Sequence, residues 1–123
     1  MKELDMNVIK DELLKLGVQP QLRAFEWLAR AIQICSQDKS IRENPIGQLY
    51  NQISQDYNTD QYTILQAIRR AVRLSWDARN NTTQSKDYYS KVFGYRQEVD
   101  KSPSSLEFIT RMSDYLSQEG NNV

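Results

Sequence analysis

Apolar residues recur at three- and four-residue intervals along almost the whole chain, the pattern of amphipathic helices rather than of strands. Leu4, Val8, Ile9, Leu13 and Leu16 form a first stripe, and Gly17 follows as a C-terminal stop. After Pro20 a stronger stripe runs through Leu22, Phe25, Leu28, Ile32 and Cys35 and ends in the polar stretch 36–40. Trp27 falls off that stripe, which puts it at a helix edge. Pro45 suits the first turn of a third helix, whose face is Ile46, Leu49, Tyr50, Ile53 and Tyr57, with a break at Asn58 and Thr59. The most regular segment is a fourth helix over about residues 60–78, burying Ile64, Ala67, Ile68, Ala71, Val72 and Ser75.

Residues 80–86 are polar and turn-forming, after which Tyr88, Tyr89, Val92 and Phe93 make a short helix closed by Gly94. Ser104 and Glu107 have capping-box spacing just after Pro103, and Leu106, Ile109, Met112 and Leu116 form a last stripe. Residues 118–123 are expected to fray. No stretch reads as a strand, a repeat or a linker. The pattern therefore predicts a single all-α domain of about six helices over residues 1–123.

Composition narrows what such a domain does. Lys and Arg number 16 against 16 Asp and Glu, there is no histidine, and Cys35 is the only cysteine. His-dependent triads and His/Cys metal sites are thereby excluded, as are an intrachain disulfide and a CxxC motif. Cys35 reads as a buried small hydrophobe in a cytoplasmic protein. No apolar run approaches the roughly 20 residues of a membrane span, so no membrane partner is expected. Paired acids, a nucleophile with its base and a Gly-rich phosphate loop are also missing, so an enzyme is not expected and no cofactor is implied. The tyrosines, among them Tyr50, Tyr57, Tyr88, Tyr89 and Tyr95, read as helix-packing residues with a polar tip at the surface.

Neutral charge argues at first against nucleic acid, but its distribution does not. Residues 61–79 carry Arg69, Arg70, Arg73 and Arg79 against one acid, Asp77. The segment of about 46–78 also fits a helix-turn-helix, which needs a small residue at the crossing, a turn residue tolerant of positive φ and an inward apolar face on the second helix. Ser54, Asn58, and Ile64 with Ala67 fill those places, while Ile53 and Tyr57 complete the core face of the first motif helix. The outer face of the second helix then carries Tyr62, Thr63, Gln66, Arg69, Arg70 and Arg73. Tyr62, Thr63 and Gln66 lie at the end that enters a major groove, where Gln pairs bidentately with adenine. Arg69 and Arg70 reach guanine or phosphate, and Arg73 and Arg79 suit phosphate.

A charged outer face is ordinary on any helix, so the weight rests on its coincidence with the turn. Leu65 sits at the flank of the core face, either core edge or protein interface. It motivates a second reading, a protein-interaction module that kept the fold, lost or altered DNA readout and modulates a full-length regulator.

The chain resembles the C-terminal DNA-binding effector domain of the sporulation-initiation response regulators. The likeness runs from about residue 8 to 117 through LLKLGVQPQLRAFEWLARAI, IGQLYNQISQDYNT, QAIRRAVRLSW, FGY at 93–95 and SPSSLEFI at 102–109. It implies six helices with a recognition helix at roughly 60–78, and binding of double-stranded DNA as a homodimer or tandem dimer. It further implies transcription regulated through contact with RNA polymerase. Asn58, Thr59, Arg69 and Trp76 match family positions; the turn residues would support phosphate contact and Trp76 would be core. Where the family carries an arginine, a glutamate and a second arginine, this chain has Thr63, Leu65 and Gln66, so altered base specificity is expected. Family members also carry a receiver domain, so the chain is expected to be either an excised effector domain or a stand-alone relative. Weak, salt-sensitive binding by one domain is expected, with useful affinity from two domains on adjacent sites.

Overall fold

The computed structural model describes residues 4–94 and 101–121, and among them every regular element is helical. Six α-helices follow in order: α1 (Met6–Lys15), α2 (Arg23–Gln37), α3 (Asn51–Tyr57), α4 (Gln61–Asp77), α5 (Thr83–Phe93) and α6 (Ser105–Asn121). Between α2 and α3 lie a 3-10 segment, Lys39–Glu43, and a π-helical turn, Pro45–Tyr50.

Helix α2 is the axis of the molecule. It packs against α1, α4 and α6, and Ala24, Phe25, Trp27, Leu28, Ala29, Ala31, Ile32, Ile34 and Cys35 are all buried. Trp27 is therefore core, 3% exposed, rather than an edge residue, with the Arg23 guanidinium 4.7 Å from its ring centroid. The small side chains Ala24, Ala29 and Ala31 let neighbours approach on faces that a one-sided stripe leaves to solvent. Buried Gln33 is satisfied by the Leu4 carbonyl, to which it donates at 2.9 Å, and by Arg30, which donates to it at 2.6 Å.

The chain turns where its sequence supplies the chemistry. At the end of α1, Gly17 takes φ +83, the Val18 N–H reaches the Leu13 carbonyl and the Gly17 N–H reaches the Leu14 carbonyl. This is a Schellman closure, and Val18 and Leu13 are both buried beside it. Val8, expected on the inner stripe, is instead 48% exposed, because the buried face is set by Ile9, Leu13 and Leu16.

Ile46 also departs from expectation, at 63% exposed. The Pro45–Tyr50 turn is π-wound, so a residue that α-periodicity would stack under Leu49 and Tyr50 is rotated outward. Helix α5 begins inside the polar stretch expected as a turn. Thr82 caps it by accepting from the Ser85 N–H at 3.0 Å, and the buried Ser85 hydroxyl donates to the Lys15 carbonyl at 3.0 Å. Ser104 caps α6 through the Glu107 N–H at 3.1 Å, and that helix continues to Asn121, into the segment expected to fray. Tyr95 and residues 122–123 lie outside the described residues.

Aromatic rings tie the last three helices together. Trp76 meets Tyr89 edge-on at 5.6 Å, Tyr89 stacks on Phe93 at 5.3 Å, and Phe93 on Phe108 at 5.5 Å. Under α4, the Ser75 hydroxyl donates to the Leu16 carbonyl at 2.7 Å and so is left to accept from the Tyr89 hydroxyl. Burial pushes the Tyr89 phenol far up. The C-terminal half of α4 is thus anchored to α1 and α5 by a buried polar chain beside the aromatic line.

Candidate nucleic-acid interface

Helices α3 and α4 are joined by a three-residue turn whose geometry follows from Asn58. It takes φ 50, ψ 49, the only non-glycine positive φ among the described residues. Asn tolerates this left-handed conformation best after Gly. The amides of Asn58 and Thr59 both donate to the Ser54 carbonyl, the latter at 3.1 Å, and the Thr59 hydroxyl donates to the Tyr57 carbonyl at 3.1 Å. Two carbonyls at the C-terminal end of α3, those of Ser54 and Tyr57, are thus satisfied in one tight reversal.

Helix α4 starts at once because Asp60 caps it. One carboxylate oxygen accepts from the Thr63 N–H at 2.9 Å and the other from the Thr63 hydroxyl at 2.7 Å. Hydrogen bonds from the Thr63 side chain and backbone hold the Asp60 carboxyl below its usual range. Gln61 reaches back to Asn51 of α3 at 3.3 Å, a further tie across the turn.

The turn is also clamped to α2. The Tyr57 hydroxyl donates to Glu26 at 2.9 Å, Glu26 pairs with Lys10 of α1 at 2.6 Å, and Arg30 pairs with Asp56 at 3.1 Å. Lys10 and the Tyr57 hydroxyl draw the Glu26 carboxyl down against its partial burial, and burial with the Glu26 contact pushes Tyr57 up to about 12. The Arg30–Asp56 and Glu26–Tyr57 partners lie 26 and 31 residues apart in sequence, with no local signal to announce them. The Asp60 cap was more accessible: an Asp just before a helical run is a start signal.

With Ile64, Ile68, Ala71, Val72 and Ser75 buried, α4 shows the opposite face to solvent. Tyr62, Gln66, Arg69 and Arg73 are spaced by four, three and four residues, one stripe along the helix, and all are exposed, with exposed Arg70 at its flank. The stripe spans about 16 Å from Tyr62 to Arg73 at 1.5 Å per residue. Tyr62, 71% exposed, is the most exposed large apolar side chain among the described residues. Arg69 also lies close enough to buried Tyr50 to oppose the rise that burial causes, Tyr50 being pushed up to about 12.

Not every expected residue joins this stripe. Thr63 is half-buried with its hydroxyl proton committed to Asp60. Arg79 lies beyond the helix, folded over Trp76 at 3.7 Å from the ring centroid and donating to the Trp76 carbonyl at 2.9 Å. It closes the C-terminus of α4, about 25 Å from Tyr62. Trp76 itself is core, 2% exposed. Asn58 is exposed and Thr59 half-buried at the turn, beside the stripe's N-terminal end. Leu65 is partly buried and packed on the core, so it presents no open apolar patch.

From residue 44 to 68 the only charged side chains are Asp56 and Asp60. The cations of the stripe are confined to its C-terminal half. Among the described residues no cluster of His, Cys, Asp or Glu is suited to a metal, and no helix is long and apolar enough to cross a membrane. Compared with known protein families, residues 9–116 match the family described as the sporulation initiation factor Spo0A C terminal, which accounts for nearly the whole chain.

Proposed function

Because the chain belongs to the family of the Spo0A C-terminal domain, a family of DNA-binding sporulation regulators and not of enzymes, we propose that it is a sequence-specific transcriptional regulator that reads the major groove with α4. The observation that carries this is the exposed stripe of Tyr62, Gln66, Arg69 and Arg73, with Arg70 beside it, on a helix that follows a left-handed turn at Asn58. An α-helix fits a major groove about 12 Å wide, and the N-terminal residues of a recognition helix meet base edges there. Tyr62 and Gln66 occupy that end. Arg69, Arg70 and Arg73 lie further along, where the groove wall brings phosphates, and exposed Asn58 offers a small polar group at the turn, beside Thr59, whose hydroxyl proton is held by the Tyr57 carbonyl.

Thr63 and Arg79 enter this reading differently. Thr63 supports it by fixing the cap, its hydroxyl proton held by Asp60, and Arg79 by folding over Trp76 and donating one guanidinium N–H to the Trp76 carbonyl at the far end of α4. Homodimers or tandem dimers on adjacent sites supply the affinity that so few cations withhold from one domain, and contact with RNA polymerase transmits the effect. The alternative, an interaction module without DNA readout, loses its apolar anchor because Leu65 packs on the core.

The test is a binding titration against duplex DNA at several salt concentrations. Three exposed arginines predict a slope of log K on log salt of about −2.7, falling to about −1 in the double variant Arg69→Ala, Arg73→Ala. Absence of affinity at low salt, or affinity and slope unaltered by the double variant, contradicts the proposal.

A further inference from the structure

On the reading that α4 enters the major groove, we infer that the centre of the contact selects A·T pairs, with Gln66 as the adenine reader and the Tyr62 ring packing on the neighbouring thymine methyl. Guanine offers two acceptors in the major groove, N7 and O6, and is read by a side chain with two donors, Arg or Lys. None exists between residues 44 and 68, so the leading turns of α4 hold no guanine reader. Adenine offers one acceptor and one donor, N7 and N6, which the amide of Gln66 matches with both its groups.

The neighbouring groups reinforce this choice. Cytosine is read by a carboxylate accepting from N4, but the Asp60 carboxylate is held back at the helix end as the cap by two hydrogen bonds from Thr63, at 2.9 and 2.7 Å. Thr63 in turn has no free proton to offer. Asp60 also neutralises the positive end of the α4 dipole, so the helix N-terminus does not draw in a phosphate and the leading residues stay at base edges. Tyr62 and Gln66 are four residues apart on one exposed face, and the large exposed ring at position 62 has a natural apolar counterpart in the methyl that only thymine carries.

The experiment is selection from a random duplex pool at low salt, followed by titration of the selected duplex and an unselected one. The intact chain should enrich A·T pairs at the centre of its site. Gln66→Ala should weaken the selected duplex by about 5- to 150-fold while leaving the unselected one within about twofold. Gln66→Arg should move the preferred base at one position from adenine to guanine, and Tyr62→Ala should relax the adjacent thymine. Central enrichment of G·C, or a Gln66→Ala variant with the same ratio between the two duplexes, overturns the inference while leaving α4 as the DNA helix. Failure to bind any duplex overturns the inference together with the proposed function.

Discussion

The hydroxyl of Tyr57, the last residue of α3, donates to the carboxylate of Glu26 on α2 at 2.9 Å, so the turn leading into the recognition helix is fixed to the central helix of the core. Glu26 holds Lys10 on its other oxygen, and Arg30 grips Asp56 one residue before Tyr57. Tyr57→Phe removes the bond and keeps the ring. With Glu26 partly open to solvent, the expected loss is about 1 kcal/mol, read as a lower Tm. DNA affinity should fall with it, because the angle between α3 and α4 is held less tightly. An unchanged Tm would show that the bond is replaced by water at no cost.

Asn58 separates the backbone role of the turn from its side-chain role. Its φ of 50 suits glycine without penalty, so Asn58→Gly should hold or slightly raise Tm, whereas Asn58→Ala should lower stability by about 1 kcal/mol. If the Asn58 amide touches phosphate, Asn58→Gly should still weaken DNA binding. Equal affinity of the wild type and the glycine variant would assign the turn's contribution to its backbone alone.

Ser75→Ala probes the support beneath α4. The change strips the Leu16 carbonyl and the Tyr89 hydroxyl of their shared partner in a fully buried setting, which should cost about 2 kcal/mol. Thermal unfolding should report it as a fall of roughly 5–10 °C. A fall under 1 °C would mean that the pocket rearranges to satisfy both groups.

Acid sensitivity should be concentrated at the junction of α6 with the 3-10 segment. Arg42 donates to both oxygens of Asp114 at 2.7 and 3.2 Å, to Ser113 at 3.0 Å and to Cys35 at 3.3 Å. The Arg42 contact holds the Asp114 carboxyl below its usual range. A carboxyl depressed in the folded state gives its full stabilisation above the unfolded pKa of about 3.9 and loses it as pH falls through the folded value. Asp114→Asn should therefore lower Tm at neutral pH and flatten the decline of Tm below pH 4. A variant that declines as steeply as the wild type would place the acid sensitivity elsewhere.

The helices were legible because their apolar residues repeat with helical period and their ends carry Gly17, Asn58, Pro45 and Ser104, each acting through local geometry. Trp27 and Ile46 were misjudged for opposite reasons. Burial all round α2 depends on three other helices, and the outward turn of Ile46 depends on π-winding that no residue pattern marks. At the candidate interface, spacing alone put Tyr62, Gln66, Arg69, Arg70 and Arg73 on one face. It did not separate them from Thr63, whose hydroxyl is committed to Asp60, or from Arg79, which lies folded over the Trp76 ring beyond the end of the helix. Nor did it reveal the Glu26 and Arg30 clamps, which join residues distant in sequence.

The most direct measurement is a set of amide chemical-shift changes recorded as duplex DNA is added to isotopically labelled protein. The largest changes should fall on residues 58–73, centred on Tyr62, Gln66 and Arg69, with α1 and the α5–α6 side little altered. Changes centred on α5 and α6, or spread evenly over the molecule, would contradict α4 as the DNA-reading helix.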